Sequence, residues 1–219
     1  MRATYFSTTS RIALILLALI SASSLLCLPA LAKGSLEGVK IFIDPGHGGP
    51  DPGAVGPSGL HEADVNLRVS SVLANCLREY GGAQVMMSRT DDIDVSLGRR
   101  VTAANNWRAD RFISVHHNAS LNRDYNATET YVYYYADRTA VDMQEKVHRR
   151  VVEGLGLRDG QARTAGFYVL RYTSMPAILT EASYISNPYE EARLKDMGYT
   201  WREGYYIYLG IADHFGVAP

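Results

Sequence analysis

Past residue 35 the chain alternates between two rhythms. Short apolar runs of strand length, rich in β-branched and aromatic residues, fall at 39–44, 83–88, 111–116, 129–135, 167–170 and 177–180. Between them lie stretches whose apolar positions recur roughly every three or four residues, at 62–80, 95–108, 139–155 and 201–215. In the first helical stretch Leu67, Val69, Val72, Leu73, Cys76 and Leu77 make one broad face, and Gly81-Gly82 supplies a stop. The second repeats the spacing with Leu97, Val101, Ala104 and Trp107. Strand–helix–strand order requires crossover connections, which predicts one α/β domain with a largely parallel sheet covered on both faces. The alternation of Tyr131, Tyr133 and Tyr135 predicts a strand near a sheet edge, with one face less buried.

The first 32 residues have a different pattern. Arg2 and Arg11 precede an unbroken apolar run at 12–20, and Ala30-Leu31-Ala32 is a small-x-small cleavage site. This predicts a secretory signal peptide over 1–32 and a mature domain over 33–219. An uncleaved membrane anchor is the rival reading, weakened by Ser21, Ser23, Ser24 and Pro29. A lipoprotein role for Cys27 is poor, since bulky Leu26 precedes it. Without the leader and its two arginines, 20 basic residues face 23 acidic ones, a net charge of −3. Such a balance gives no electrostatic footprint for nucleic acid or an anionic membrane. Only Cys76 remains, at helical spacing, so it reads as a buried thiol and excludes an intramolecular disulfide.

In open α/β sheets the functional crevice lies beyond the carboxyl ends of the strands. His47 follows the first strand in the Pro/Gly-rich turn Asp44-Pro45-Gly46-His47-Gly48-Gly49, His116 ends the third, and Glu181 follows the last apolar run. Glu62 opens the first helical stretch, where the helix dipole favours its ionised form. Two imidazoles and a carboxylate are a zinc set that leaves a fourth position open, as in catalytic sites. Taken singly, each has a plainer reading: a turn histidine, a first-turn acid, a core histidine. His117 is expected on the opposite strand face from His116.

Jointly the motifs decide. The chain resembles the zinc-dependent N-acetylmuramoyl-L-alanine amidases, the type-3 amidase family of bacterial cell-wall hydrolases. The resemblance rests on Ile43-Asp44-Pro45-Gly46-His47-Gly48-Gly49, Gly59-Leu60-His61-Glu62, Ser88-Arg89-Thr90-Asp91, Val115-His116-His117-Asn118, Glu129-Thr130, and Leu179-Thr180-Glu181-Ala182 with Ser186-Asn187-Pro188. It implies a mixed, mainly parallel sheet of about six strands flanked by helices. It also implies zinc held by His47, Glu62 and His116, and Glu181 as the catalytic carboxylate. The reaction implied is hydrolysis of the amide between N-acetylmuramic acid and the L-alanine of the stem peptide. A metal of this kind lowers the pKa of water from 15.7 to about 7 and polarises the carbonyl. Glu181 would move the proton, help typically worth about 10²–10⁴ in rate.

Asn118 and Arg171 are expected to contact substrate, whereas Arg89 and Arg100 are expected to pair internally with Asp91, Asp94 or Asp110. Only residues 119–128 fill the gap where some relatives of this family insert an autoinhibitory helix, so an open site is expected. The expected partner is peptidoglycan, met by a monomer in the periplasm or cell wall without stable membrane association. Two rival readings stand beside it: a non-catalytic wall-binding module of the same fold, and a zinc peptidase acting on stem-peptide crosslinks.

Overall fold

Six strands form one sheet in the order β2-β1-β3-β6-β4-β5. They are β1 (Lys40–Pro45), β2 (Gln84–Met87), β3 (Arg111–Asn118), β4 (Thr128–Val132), β5 (Asp159–Thr164) and β6 (Ala177–Tyr184). The computed structural model describes residues 36–217, so the expected leader lies outside it. Every neighbouring pair is parallel except β4 with β6, giving the mixed, mainly parallel sheet expected. The helices are α1 (Glu62–Glu79), α2 (Leu97–Trp107), α3 (Arg138–Leu155), α4 (Tyr168–Tyr172), α5 (Pro188–Leu194) and α6 (Met197–Phe215).

The two-residue period of the central strands sorts their side chains between two cores. Ile41, Ile43, Ile113, Val115 and Ile178 pack on one face with the apolar stripes of α1, α3 and α6. Phe42, Phe112, Ala177 and Leu179 pack on the other with Val101 and Ala104 of α2 and Val169 and Leu170 of α4. Both faces of β1, β3 and β6 are therefore dry, which is why these strands read as continuous apolar runs. Cys76 is buried within the first core, where burial pushes its thiol up to about 11.

Several elements depart from the sequence expectation. The run 167–170 is not a strand but the start of α4, with Val169 and Leu170 inserted into the second core. A four-residue apolar segment has no period long enough to separate strand from helix. The sixth strand is instead β5, Asp-Gly-Gln-Ala-Arg-Thr, an edge strand that is exposed at five of six positions. β4 ends at Val132, so Tyr133 and Tyr135 lie in the turn to α3, whose first turn is capped by Asp137. β6 runs on to Tyr184, which places Glu181 inside a strand rather than after one.

Candidate metal centre

The β1 strand delivers His47 at its carboxyl end with φ of 61°, in the left-handed region that non-glycine residues seldom occupy. Two arginines hold that turn. Arg100 Nη1 donates to Asp44 Oδ1 (2.8 Å) and to the Pro45 carbonyl (2.6 Å), and its Nη2 donates to the His47 carbonyl (2.8 Å). Arg89 donates to the carbonyls of Pro45, Gly46 and Ala63. Both are internal braces, as expected, but their partners are Asp44 and backbone carbonyls rather than the carboxylates of Asp91, Asp94 or Asp110. A Cβ at Gly46 would sit 2.1 Å from His116 Cε1, so only glycine lets the His116 ring lie against this turn.

Glu62, first residue of α1, bridges the two imidazoles. Its Oε2 lies 3.2 Å from His47 Nε2, and its Oε1 lies 3.0 Å from His116 Nδ1. Asn66 Nδ2 and the His117 amide also donate to Oε1, and the Ala54 amide donates to Oε2. Asp51 Oδ2 approaches His47 Nδ1 at 2.8 Å, leaving Nε2 turned toward Glu62. One ligand-capable atom from each of His47, Glu62 and His116 lies within 4.8 Å of the others. Among the described residues this is the group of three or more such side chains close enough to share a cation.

Electrostatics follow from that geometry. Burial opposes a charge on His47, but the hydrogen bonds and charges of Glu62 and Asp51 outweigh it and raise its pKa to about 9. Burial would likewise raise Glu62, yet His116 and His47 hold it far below the usual carboxylate range. Cation binding at such a cluster would release the proton that this shift favours on His47. Two imidazole nitrogens and one carboxylate oxygen suit zinc, and three protein ligands leave a position open.

Glu181 sits beside them, opposite His116 of β3 on one side and Glu129 of β4 on the other. The residue is half-buried, but its Oε2 is shut from solvent and has no hydrogen-bond partner among the described residues. Desolvation first, then the charges of Glu62 and Glu129, push its pKa well above the ordinary value. His47, His116 and Glu181 open into a cleft of about 440 Å³, whose far wall carries Val95, Leu97, Phe167 and Tyr168.

Residues 41–213 match the family model described as N-acetylmuramoyl-L-alanine amidase. The chain belongs to this amidase family. Among curated amidases, the sporulation-specific N-acetylmuramoyl-L-alanine amidase of Bacillus subtilis is 42% identical over 158 residues, covering 72% of this chain and 60% of that protein. LytC of the same organism is 35% identical over 84% of this chain and 37% of its own length. The chain thus aligns with less than two thirds of the length of each of these two relatives. Among solved structures, the catalytic domain of CwlV from Bacillus (Paenibacillus) polymyxa superposes with a TM-score of 0.77 at 34% identity, over 82% of this chain and 99% of that one. An amidase from Clostridium difficile 630 gives 0.78 at 34% identity, over 81% and 97%.

Within this amidase domain the other two expected site residues, Asn118 and Arg171, do not line the cleft. Asn118, two residues past His116 on β3, falls beyond a register shift, and its Nδ2 donates to Glu129 Oε2 of β4 (3.1 Å). Arg171 stacks over Tyr172 at 5.1 Å and lines a separate cavity of about 220 Å³ with Tyr133 and Tyr135, not the cleft. His117 points to the opposite strand face, between Asn66 Oδ1 (2.8 Å) and Glu203 Oε2 (3.0 Å). Sequence reasoning gave no role to Asp51, Asn66 or Glu129. Asp51 had one usable signal, an acid four positions after His47 inside the same turn-rich loop. Glu129 is tied to Tyr131 Oη, Asn118 and Arg163, partners that only the folded sheet assembles.

Proposed function

We propose that this chain is a secreted zinc amidase that cleaves the bond between N-acetylmuramic acid and L-alanine in peptidoglycan. The observation that carries the reading is the convergence of His47, Glu62 and His116 beside the partnerless carboxylate oxygen of Glu181. Family membership and the amidases named above support the same chemistry. The sequence pattern of a leader at 1–32 supports export.

His47, Glu62 and His116 would hold the zinc, and Asp51 keeps the His47 ring oriented through Nδ1. Zinc, when bound, supplies Lewis acidity toward the carbonyl and makes water acidic enough to lose a proton near neutrality. Glu181 accepts a proton from the attacking water as its oxygen adds to the carbonyl carbon. It then delivers that proton to the alanine nitrogen as the carbon–nitrogen bond breaks. Its buried Oε2 and raised proton affinity suit both transfers. The uncharged wall of Leu97, Phe167 and Tyr168 offers the apolar side of the cleft to the sugar and its lactyl arm.

Purified protein with zinc is expected to release free stem peptides beginning with L-alanine from sacculi, identified by mass spectrometry. Glu181→Gln is expected to fold and bind zinc yet lose about 10²–10⁴ of the rate. Equal release by that variant removes Glu181 from the reaction. Products cut within the peptide would indicate a peptidase, and binding to sacculi without release a wall-binding module.

A further inference from the structure

The loop between His47 and Glu62, residues 48–61, contains five glycines and three prolines and no regular element beyond two isolated bridges. Glycine adds backbone freedom that must be suppressed if the loop is to hold one shape. This loop carries Asp51, the partner of His47, and Ala54, whose amide donates to Glu62 Oε2 at 2.9 Å.

An acid from a remote element supplies the restraint. Glu191 of α5 is 3% exposed, and its carboxylate accepts from the amides of Ser58 (3.0 Å to each oxygen) and Leu60 (3.2 Å). Lys195 is its nearest cation, at 4.0 Å. Loop backbone lies directly against it, since a Cβ at Gly56 would meet Glu191 Oε1 at 2.4 Å. Hydrogen bonds continue inward from there. The Gly56 amide donates to the Leu60 carbonyl, Val55 bridges His61, and Ala54 and Glu62 exchange bonds through the Glu62 amide and Oε2.

We infer that Glu191 is a positioning residue, resting on the metal-centre reading above: it clamps loop 48–61 in the shape that presents Glu62 to the cation and Asp51 to the His47 ring. If the loop moved away, a buried carboxylate would lose its amide donors, so its desolvation favours the closed loop. The helix itself does not depend on this carboxylate. Asn187 caps α5 and Leu194 anchors it in the core, while the neighbouring Glu190 serves Asn126, Arg193 and Tyr199.

The test measures zinc affinity of the whole protein by competition with a chromogenic chelator, independently of hydrolysis. Glu191→Gln puts an amide nitrogen where both oxygens accept, and is expected to weaken zinc binding about 10–100-fold with an unchanged far-UV spectrum. Excess zinc is expected to restore its kcat on muramyl peptide, with KM for that substrate unmoved. Glu190→Gln, on the same helix, is expected to lower thermal stability while keeping wild-type zinc affinity. Should Glu191→Gln fail to fold, Gly56→Ala displaces the loop from the other side and is expected to weaken zinc binding in the same way. Wild-type zinc affinity in the folded variant overturns the inference, as does an equal loss in Glu190→Gln. A wild-type protein that binds no zinc overturns the metal centre itself, and the clamp with it.

Discussion

A methyl group added at residue 46 would occupy the space of the His116 ring, 2.1 Å from Cε1 and 2.4 Å from Nε2. The backbone there is pinned by Arg89 and by the Gly46 amide donating to the Val115 carbonyl, so the imidazole must yield instead. Gly46→Ala is therefore expected to keep the fold and weaken zinc binding by about 10–100-fold, as when a ligand's support is lost. An unchanged zinc affinity in a chelator competition would show that the ring is free to swing elsewhere. The same residue illustrates what could be read from letters alone. The histidines and the acid of the cluster stand at strand ends and a helix start, where topology concentrates function, yet only the motifs taken together single them out. Arg100 was legible only as an internal brace. Its partner Asp44 lies 56 positions away, and that pairing depends on how α2 packs under β1. Asn66 likewise looks like one more polar helix residue, yet it joins Glu62 to His117.

Helices α3 and α6 approach closely enough that a Cβ at Gly210 would sit 2.4 Å from Val147 Cα. That clash is with backbone, which cannot rotate away as a side chain can. Gly210→Ala is expected to destabilise the protein by about 1–3 kcal/mol through overpacking, read as a lower midpoint in urea with an unchanged slope. A neutral substitution would mean that α6 slides without cost. This packing explains which elements the sequence disclosed. α1 and α3 each bury an apolar face against the sheet and α6 packs on both helices, so their periodicity survives in the letters. β5 buries almost nothing and contains Gly160 and Gln161, the latter at φ of 82°, beside a register shift. It pairs because β4 offers an open edge, a cause lying in another strand. α4 and α5 are too short to establish a period, and α5 is set by its Asn187 cap and Pro188 start instead.

The sheet and its two cores close without help from the cation cluster, because β1, β3 and β6 are buried on both faces. Even the cluster is satisfied internally, since Glu62 faces both imidazoles at hydrogen-bond distance. The metal-free protein is thus expected to be folded, unlike a small zinc module that has no core of its own. Zinc then acts on stability only through mass action on the native state. At a free concentration of about 100 times Kd that linkage adds about 2.7 kcal/mol. For a domain of this size it corresponds to a rise in Tm of about 5–10 °C. A chelator should reverse the rise, and His116→Ala should abolish it. Magnesium should produce none, because it prefers six oxygen ligands to two imidazoles and a carboxylate. Differential scanning fluorimetry at fixed protein concentration reads all of these shifts. A Tm indifferent to zinc would mean that the three side chains form only a hydrogen-bonded cluster, whatever the amidase family does elsewhere.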